Sequence, residues 1–435
     1  MYLTWLQIIR LGLIQMCLGS VVVMTTSTLN RLMVVEFALP ALLPGFLVGL
    51  HYGVQLCRPI WGILSDVKGR RSRWIIMGMV ILGLGAVLAS GSALLMENQF
   101  WVGLVLSLIA YTMIGVGVAA SGTSLLAMLA SATAPSRRAA AATTTWLMMI
   151  FGIAMTAGIL GQLLDPFGPA RLMLITAGLM MATSLLTTLA IWGIERKLPP
   201  ITPQPDIKLS EALQEVWQHQ KVRQFTFFVF LSMTAYFMQE LILEPYAGLV
   251  FGMTLGETTS LSGIQNGGVF IGMLAVGIGH SGFSLGKLSH WLIAGCIGSA
   301  LALSGIASLG QFAPHVTMLQ INVSILGFFN GMFAVAAIGA MMSLAGDGQN
   351  HREGGRMGLW GAAQALAAGF GGLAGASLTD LFRHLTTDAH AFGVVFFFEA
   401  MLFLVSAYVG ITVLSNSPQK PKEKYIPLSE KVHSS

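Results

Sequence analysis

Apolar residues in this chain come in long unbroken runs, and polar residues gather in short clusters between them. An α-helix needs about 20 mostly apolar residues to cross a bilayer. Such runs fall at about 11–33, 41–64, 74–96, 101–130, 140–163, 172–193, 224–247, 258–280, 288–311, 316–345, 355–381 and 391–414. Gly and Pro interrupt many of them, which membrane helices tolerate. A β-barrel would show short alternating strands instead. The pattern predicts an all-α membrane protein with twelve transmembrane helices.

Composition agrees: the chain is 55% hydrophobic and 9% charged, where a soluble protein carries roughly 25% charged residues. The first apolar run follows Arg10 and ends without a small-residue cleavage site, so it is expected to remain as an anchor rather than a signal peptide. The cysteines Cys17, Cys57 and Cys296 lie in apolar runs, with no zinc-ligand spacing and no sign of a disulfide framework. With the N-terminus on the cytoplasmic side, 19 of the 23 Lys and Arg residues fall there, among them Lys68, Arg70, Arg71, Arg73, Arg137, Arg138, Arg196, Lys197, Arg352 and Arg356. Positive-inside insertion predicts that bias, so the net charge of +5 calls for no nucleic-acid partner.

The longest polar connector, 195–223, splits the chain into bundles at 1–194 and 224–414, with a polar tail at 415–435 expected to be disordered. The connector opens with "KLPPITPQP". It then places Leu209, Leu213, Val216 and Trp217 on one face behind an N-cap at Ser210, which suits a surface helix or a partner-docking helix. The halves echo one another. Arg138 and Arg352, Trp146 and Trp360, Gly161 and Gly375, and Asn30 and Glu244 are all 214 apart, and Asp165 and Asp380 follow within one register step. Repeats of six spans are the plan of the major facilitator transporters.

The stretch "GILSDVKGRR" after the second run resembles the signature loop of the major facilitator superfamily, with Gly62, Asp66, Gly69, Arg70 and Arg71 at its marked positions. In that superfamily the loop latches the halves on the cytoplasmic side. In "GIGHSGFSLGK" of the second half, His280 stands where the offset predicts the aspartate. Within the superfamily, "ELILEPYAGLVFGM" (Glu240 to Met253), "LNRLMVVEFALPA" (Leu29 to Ala41), "LLDPFGPARLMLITAG" (Leu163 to Gly178) and "FFFEAMLFL" (Phe396 to Leu404) resemble the bacteriochlorophyll-delivery branch. These are the PucC/LhaA-like light-harvesting-complex assembly proteins of phototrophic bacteria. The resemblance implies a major facilitator fold of two six-helix halves, placed in the inner membrane with both termini cytoplasmic. It implies (bacterio)chlorophyll or a late precursor as cargo rather than as a tightly bound cofactor. The lipid bilayer, light-harvesting polypeptides and pigment synthase are the implied partners.

Ionisable groups inside a membrane are costly and therefore functional candidates by default. Glu240 and Glu244 are four apart near the outer end of the seventh span, with Arg31 and Glu36 at the matching end of the first. These four are external-gate candidates, and Arg31 is expected to pair with Glu240 or Glu244. Wetted carboxylates, or a pigment or proton site, are the alternatives. In "HYGVQLCR", His51, Gln55 and Arg58 share one face of the second span. His51 suits the axial position of a chlorin magnesium, Gln55 a ring carbonyl and Arg58 a carboxylate or phosphate. A polar network between helices is the other reading. Glu399, midway along the last span, is either a further pigment or substrate contact or a hydrogen bond to the eleventh span. No metal site, nucleotide-binding loop or catalytic triad is recognisable, so no enzyme is expected. Three functions remain: pigment handover, proton-coupled transport of small amphipathic molecules, or a scaffold that moves nothing.

Overall fold

Thr4 opens the first helix with a capping box: its hydroxyl accepts from the Gln7 N–H, and the Gln7 side chain accepts from the Thr4 N–H. The computed structural model describes residues 2–58, 61, 71–134, 137–195, 220–282, 286–312, 314–346 and 353–415. The chain builds α1 (Trp5–Glu36), α2 (Leu42–Cys57), α3 (Arg71–Met96), α4 (Phe100–Ala132), α5 (Arg138–Leu164) and α6 (Pro169–Ile191). It continues with α7 (Gln220–Phe251), α8 (Leu255–Val276), α9 (Leu288–Phe312), α10 (Val316–Gly346), α11 (Glu353–Arg383) and α12 (Asp388–Ser415).

Among the described residues, eleven helices are long and apolar enough to cross a membrane, and the chain is an integral multi-pass membrane protein. The exception is α2, a shorter apolar helix. The expected second span ran on to about residue 64, but residues 59, 60 and 62–70 lie outside the described ones. The same holds for the expected connector helix and for the tail beyond Ser415.

Buried side chains form two large apolar cores. One is built from residues between Leu3 and Ile194, with Leu241 and Leu255 added; the other from residues between Phe225 and Ala407. Glycines set the helix spacing, since lipid offers no hydrophobic drive for helices to associate. A Cβ on Gly117 of α4 would stand 2.6 Å from the Leu82 nitrogen of α3, and one on Gly295 of α9 would stand 2.7 Å from the Phe333 nitrogen of α10.

The N-terminus, the end of α4 and the start of α3 share one face, here the terminal face. The Leu3 N–H donates to the Ala132 carbonyl at 2.8 Å. Glu195, after α6, accepts the backbone N–H groups of Arg71 and Ser72 at the start of α3. Arg10 donates to the Ala190 and Trp192 carbonyls at 2.9 and 2.6 Å, a cation at the C-terminal end of α6. The opposite, far face carries Glu36, Asp165 and Asp380. There α5 meets α8, and α2 meets α11, across the two cores. A Cβ on Gly161 would stand 2.5 Å from the Gly256 carbonyl oxygen, and one on Gly45 2.8 Å from the Ala376 Cβ.

Candidate functional site

The far-face half of α1 contains two π-helical turns, Met24–Thr28 and Leu32–Glu36. Such turns carry an i→i+5 register and shift which residues share a face. Here they turn a polar strip toward α7 and α8. Ser27 and Ser262 hydroxyls lie 2.9 Å apart and Thr28 and Thr259 hydroxyls 3.3 Å apart. Ser262 also donates to Glu244, whose second oxygen is buried without a hydrogen-bond partner.

Pro245 explains the neighbouring contact. It lies inside α7 and has no N–H to give the carbonyl four residues back. That carbonyl belongs to Leu241, and it accepts from Asn30 Nδ2 at 2.6 Å. The Leu-Glu-Pro stretch thus opens one backbone acceptor and presents one carboxylate, and α1 meets both with side chains.

Arg31 does not form the expected ion pair with Glu240 or Glu244, although it lies within electrostatic reach of Glu244. Arg31 forms its ion pair with Glu36 and donates through Nη2 to the Met253 carbonyl at 2.8 Å. Residues five apart do not meet on an α-helix, but the π turn at Leu32–Glu36 brings Glu36 round to Arg31. Gly248 leaves the space the guanidinium occupies: a Cβ there would stand 3.2 Å from Arg31 Nε and Nη2. A charge swap tests the correction. Arg31→Glu with Glu36→Arg should recover more folded protein than Arg31→Glu with Glu244→Arg, read as monodisperse yield in detergent. Equal recovery would restore the longer-range pairing.

Glu240 is half-buried and turns elsewhere. It lies within electrostatic reach of Tyr52 on α2 and Tyr236 on its own helix. Tyr52 stacks edge-on against Phe237 at 5.8 Å and against His51 at 4.8 Å. It is also within electrostatic reach of Arg58. These rings form an aromatic bridge from α2 to α7 that the sequence reading missed, because neither tyrosine is charged or rare in a motif.

His51, Gln55 and Arg58 do share a face and are linked in series. His51 Nε2 and Gln55 Nε2 are 3.0 Å apart, and Arg58 donates to Gln55 Oε1. The 3₁₀ turn Gln55–Cys57 ends α2 and stacks residues three apart, which aligns Arg58 with Gln55. An axial ligand needs a free imidazole nitrogen facing room for a macrocycle. His51 is 1% exposed, its Nε2 is engaged, and its Nδ1 is buried without a hydrogen-bond partner. Gly115 of α4 packs close on the same turn, its Cβ position 2.7 Å from the His51 carbonyl oxygen. The polar-network reading is the one this geometry favours, with exposed Arg58 as the member a ligand can reach.

Glu399 is fully buried in α12, between the buried rings of Phe396 and Phe403, and neither carboxylate oxygen has a hydrogen-bond partner. Its neighbour is Gln239 of α7, not α11 as expected; both Gln239 amide atoms are likewise unpartnered. Of the signature-loop residues, Arg71 is described: it donates to the Ala127 carbonyl at 2.9 Å. Gly62, Asp66, Gly69 and Arg70 lie outside the described residues, as does the His280 side chain. Two acids seen only as an echo also act across the cores. Asp165 accepts from the Thr254 hydroxyl, and Asp380 from the backbone at the start of α2.

The fold defines the class. The chain resembles a mutant of the nucleoside transporter NupG with a TM-score of 0.68 and 13% identity, over 94% of this chain and 99% of that one. A bacterial homologue of the human lysosomal transporter Spinster, in an inward-facing and occupied conformation, gives 0.68 and 12% over 94% of this chain and 96% of that one. This is the fold of the major facilitator transporters. The family follows from sequence: residues 28–417 match the family model described as PUCC protein, and the chain belongs to the PucC family. It is 60% identical over 416 residues to the "Bacteriochlorophyll synthase 44.5 kDa chain" of Rhodobacter capsulatus, covering 95% of this chain and 97% of that protein. It is 26% identical to "Protein PucC" of Cereibacter sphaeroides, covering 94% and 90% respectively.

Proposed function

We propose that this protein is a non-enzymatic membrane factor that carries or hands over (bacterio)chlorophyll, or a late precursor, during assembly of light-harvesting complexes. The observation that carries this reading is the match of nearly the whole chain to the PucC family, joined to a transporter fold. The synthase name belongs to the relative; a carrier that delivers pigment beside a synthase accounts for such a name without catalysis. The proposal includes twelve spans in two bundles, 1–194 and 224–414, with both termini cytoplasmic and the far face external. It rests on the bias of the basic residues and on the apolar run that continues past α2.

Arg58 is proposed as the contact for a carboxylate or phosphate, with Gln55 and His51 holding its guanidinium. Light-harvesting polypeptides and pigment synthase are the proposed partners. A lipophilic cargo need not cross the membrane, so handover can proceed within the bilayer plane.

The test is purification from a phototrophic membrane under mild detergent, followed by an absorption spectrum. Pigment bands should co-purify with the parent protein. Arg58→Ala should reduce the bound pigment most, and His51→Phe should reduce it less, since His51 acts through Gln55. A parent preparation free of pigment would sink the reading. The transporter fold keeps one rival as a secondary reading, proton-coupled transport of small amphipathic molecules, and that rival gains if pigment-free liposomes show substrate flux.

A further inference from the structure

The far face is tied by two carboxylates, each reaching from the end of a helix in one core to the start of a helix in the other. Asp165 closes α5, and its Oδ2 accepts from the Thr254 hydroxyl at 2.7 Å. Thr254 is the N-cap of α8. Asp380 lies in the last turn of α11, and its two oxygens accept the backbone N–H groups of Ala41 and Leu42 at 3.0 and 2.6 Å. Those N–H groups begin α2. The two contacts are images of one another in the internal repeat: the acids are 215 apart, and the helix starts they hold, Ala41 and Thr254, are 213 apart.

They are not equal. Thr254 caps α8 with its own hydroxyl in a capping box with Glu257, and Asp165 is exposed. At α2 the N-cap position is Ala41, which has no side chain able to cap. The first N–H groups of a helix need an acceptor and favour a negative one. For α2 that acceptor comes from a residue 338 positions along the chain. Separating the halves at this face therefore strips α2 of its cap, whereas α8 keeps its own. Behind each tie the backbones touch through small residues, Gly161 against Gly256 and Gly45 against Ala376. Among the described residues, Arg383 stands 3.9 Å from Asp380 and bonds to Asp388 at 2.7 Å, Glu257 completes the Thr254 capping box, Arg171 donates to the Pro166 carbonyl at 2.8 Å, and the Arg31–Glu36 pair lies on the same face.

We infer that Asp165 and Asp380 are a matched pair of latches between the halves, that they hold the far face closed, and that their release opens it. Asp380 is the stronger because, among the described residues, it doubles as the side-chain cap of α2. The inference does not depend on what the protein carries.

The test uses the full chain in sealed vesicles, with Cys17, Cys57 and Cys296 replaced by alanine. Val34, buried with Ala41 and Ala376 behind the latch, becomes the reporter Val34→Cys. A membrane-impermeant maleimide is added to right-side-out and to inverted vesicles. The parent should label slowly from both sides. Asp380→Ala should raise the rate from one side by about fivefold, the factor a lost helix cap makes in an equilibrium. Asp165→Ala should raise it about twofold, as suits an exposed contact. The double variant should show about the product, near tenfold. Ala110→Cys, buried in the core of the first half, should stay unlabelled throughout. Should the alanine variants fail to insert, Asp380→Asn and Asp165→Asn turn one acceptor oxygen of each contact into a donor with little change of shape and leave the Thr254 cap of α8 intact, and their rates should rise in the same order. Labelling that rises equally at both reporter cysteines, or at neither, overturns the latch. Labelling from the cytoplasmic side alone would overturn the orientation proposed above and leave the latch standing.

Discussion

Gly272→Leu is expected to abolish recovery of folded protein. Gly268 and Gly272 on α8 face Gly327 and Gly331 on α10, each pair four residues apart. A Cβ on Gly272 would stand 2.0 Å from the Phe328 carbonyl oxygen, and one on Gly327 2.0 Å from the Gln265 carbonyl oxygen. Contacts of 2.4 and 2.1 Å await Gly268 and Gly331. The obstacle in every case is a backbone carbonyl, which has no rotamer to change. The two helices can accept a side chain only by moving apart along their whole seam. Overpacking a core commonly costs about 1–3 kcal/mol. Here the upper end is the starting point, because separation also undoes the facing contacts at Gly268, Gly327 and Gly331. Against a total stability of about 5–15 kcal/mol, that should appear as aggregation on size exclusion. Gly178→Leu is the control: nothing lies within 4 Å of its Cβ position on α6, so it should fold like the parent. A Gly272→Leu variant that melts within a few degrees of the parent would mean that this seam is looser than described.

The helices were legible in the sequence because lipid leaves few choices: a long apolar run must be helical, and eleven of the twelve expected runs are helices long enough to cross a membrane among the described residues. The signature loop and the Leu-Glu-Pro stretch carried the family, which the match to residues 28–417 shows. The side-chain chemistry was less legible, for physical reasons that differ by residue. Arg31 was paired with the wrong acid because a 3.6-residue period puts Glu36 on another face, and a π turn leaves no mark in the pattern of apolar positions. Gln55 and Arg58 were placed together correctly, since their spacing satisfies both α and 3₁₀ periods. His51 was offered as an axial ligand and not seen to be closed in, because its burial depends on Gly115 of another helix. Asp165 and Asp380 were noticed as an echo without a role, since a bond spanning more than three hundred residues has no local signature. One clue was present: Ala41 begins a helix that it cannot cap.

Asn30→Ala and Pro245→Ala should each destabilise the protein, and together they should largely cancel. Asn30 exists in its present role because Pro245 withholds an N–H from the Leu241 carbonyl. Removing the Asn30 amide leaves that carbonyl buried and unmet, a loss of about 1–3 kcal/mol. Polar contacts between membrane helices average only about 0.6 kcal/mol, because a lost partner is usually replaced. The fixed proline prevents such replacement within α7, so the larger figure applies. Pro245→Ala supplies the missing N–H from the helix itself, which then competes with the Asn30 amide for the Leu241 carbonyl. In the double variant the carbonyl is met from within α7 and no amide is stranded. The coupling should reach about 1–2 kcal/mol toward stability; additivity within about 0.5 kcal/mol would show that Asn30 does not depend on the proline. Function should not return with stability. The Asn30 bond runs from α1 to α7, between the halves, whereas its replacement lies wholly inside α7. The double variant should therefore melt like the parent yet label faster at Val34→Cys, since the far face has lost one of its ties.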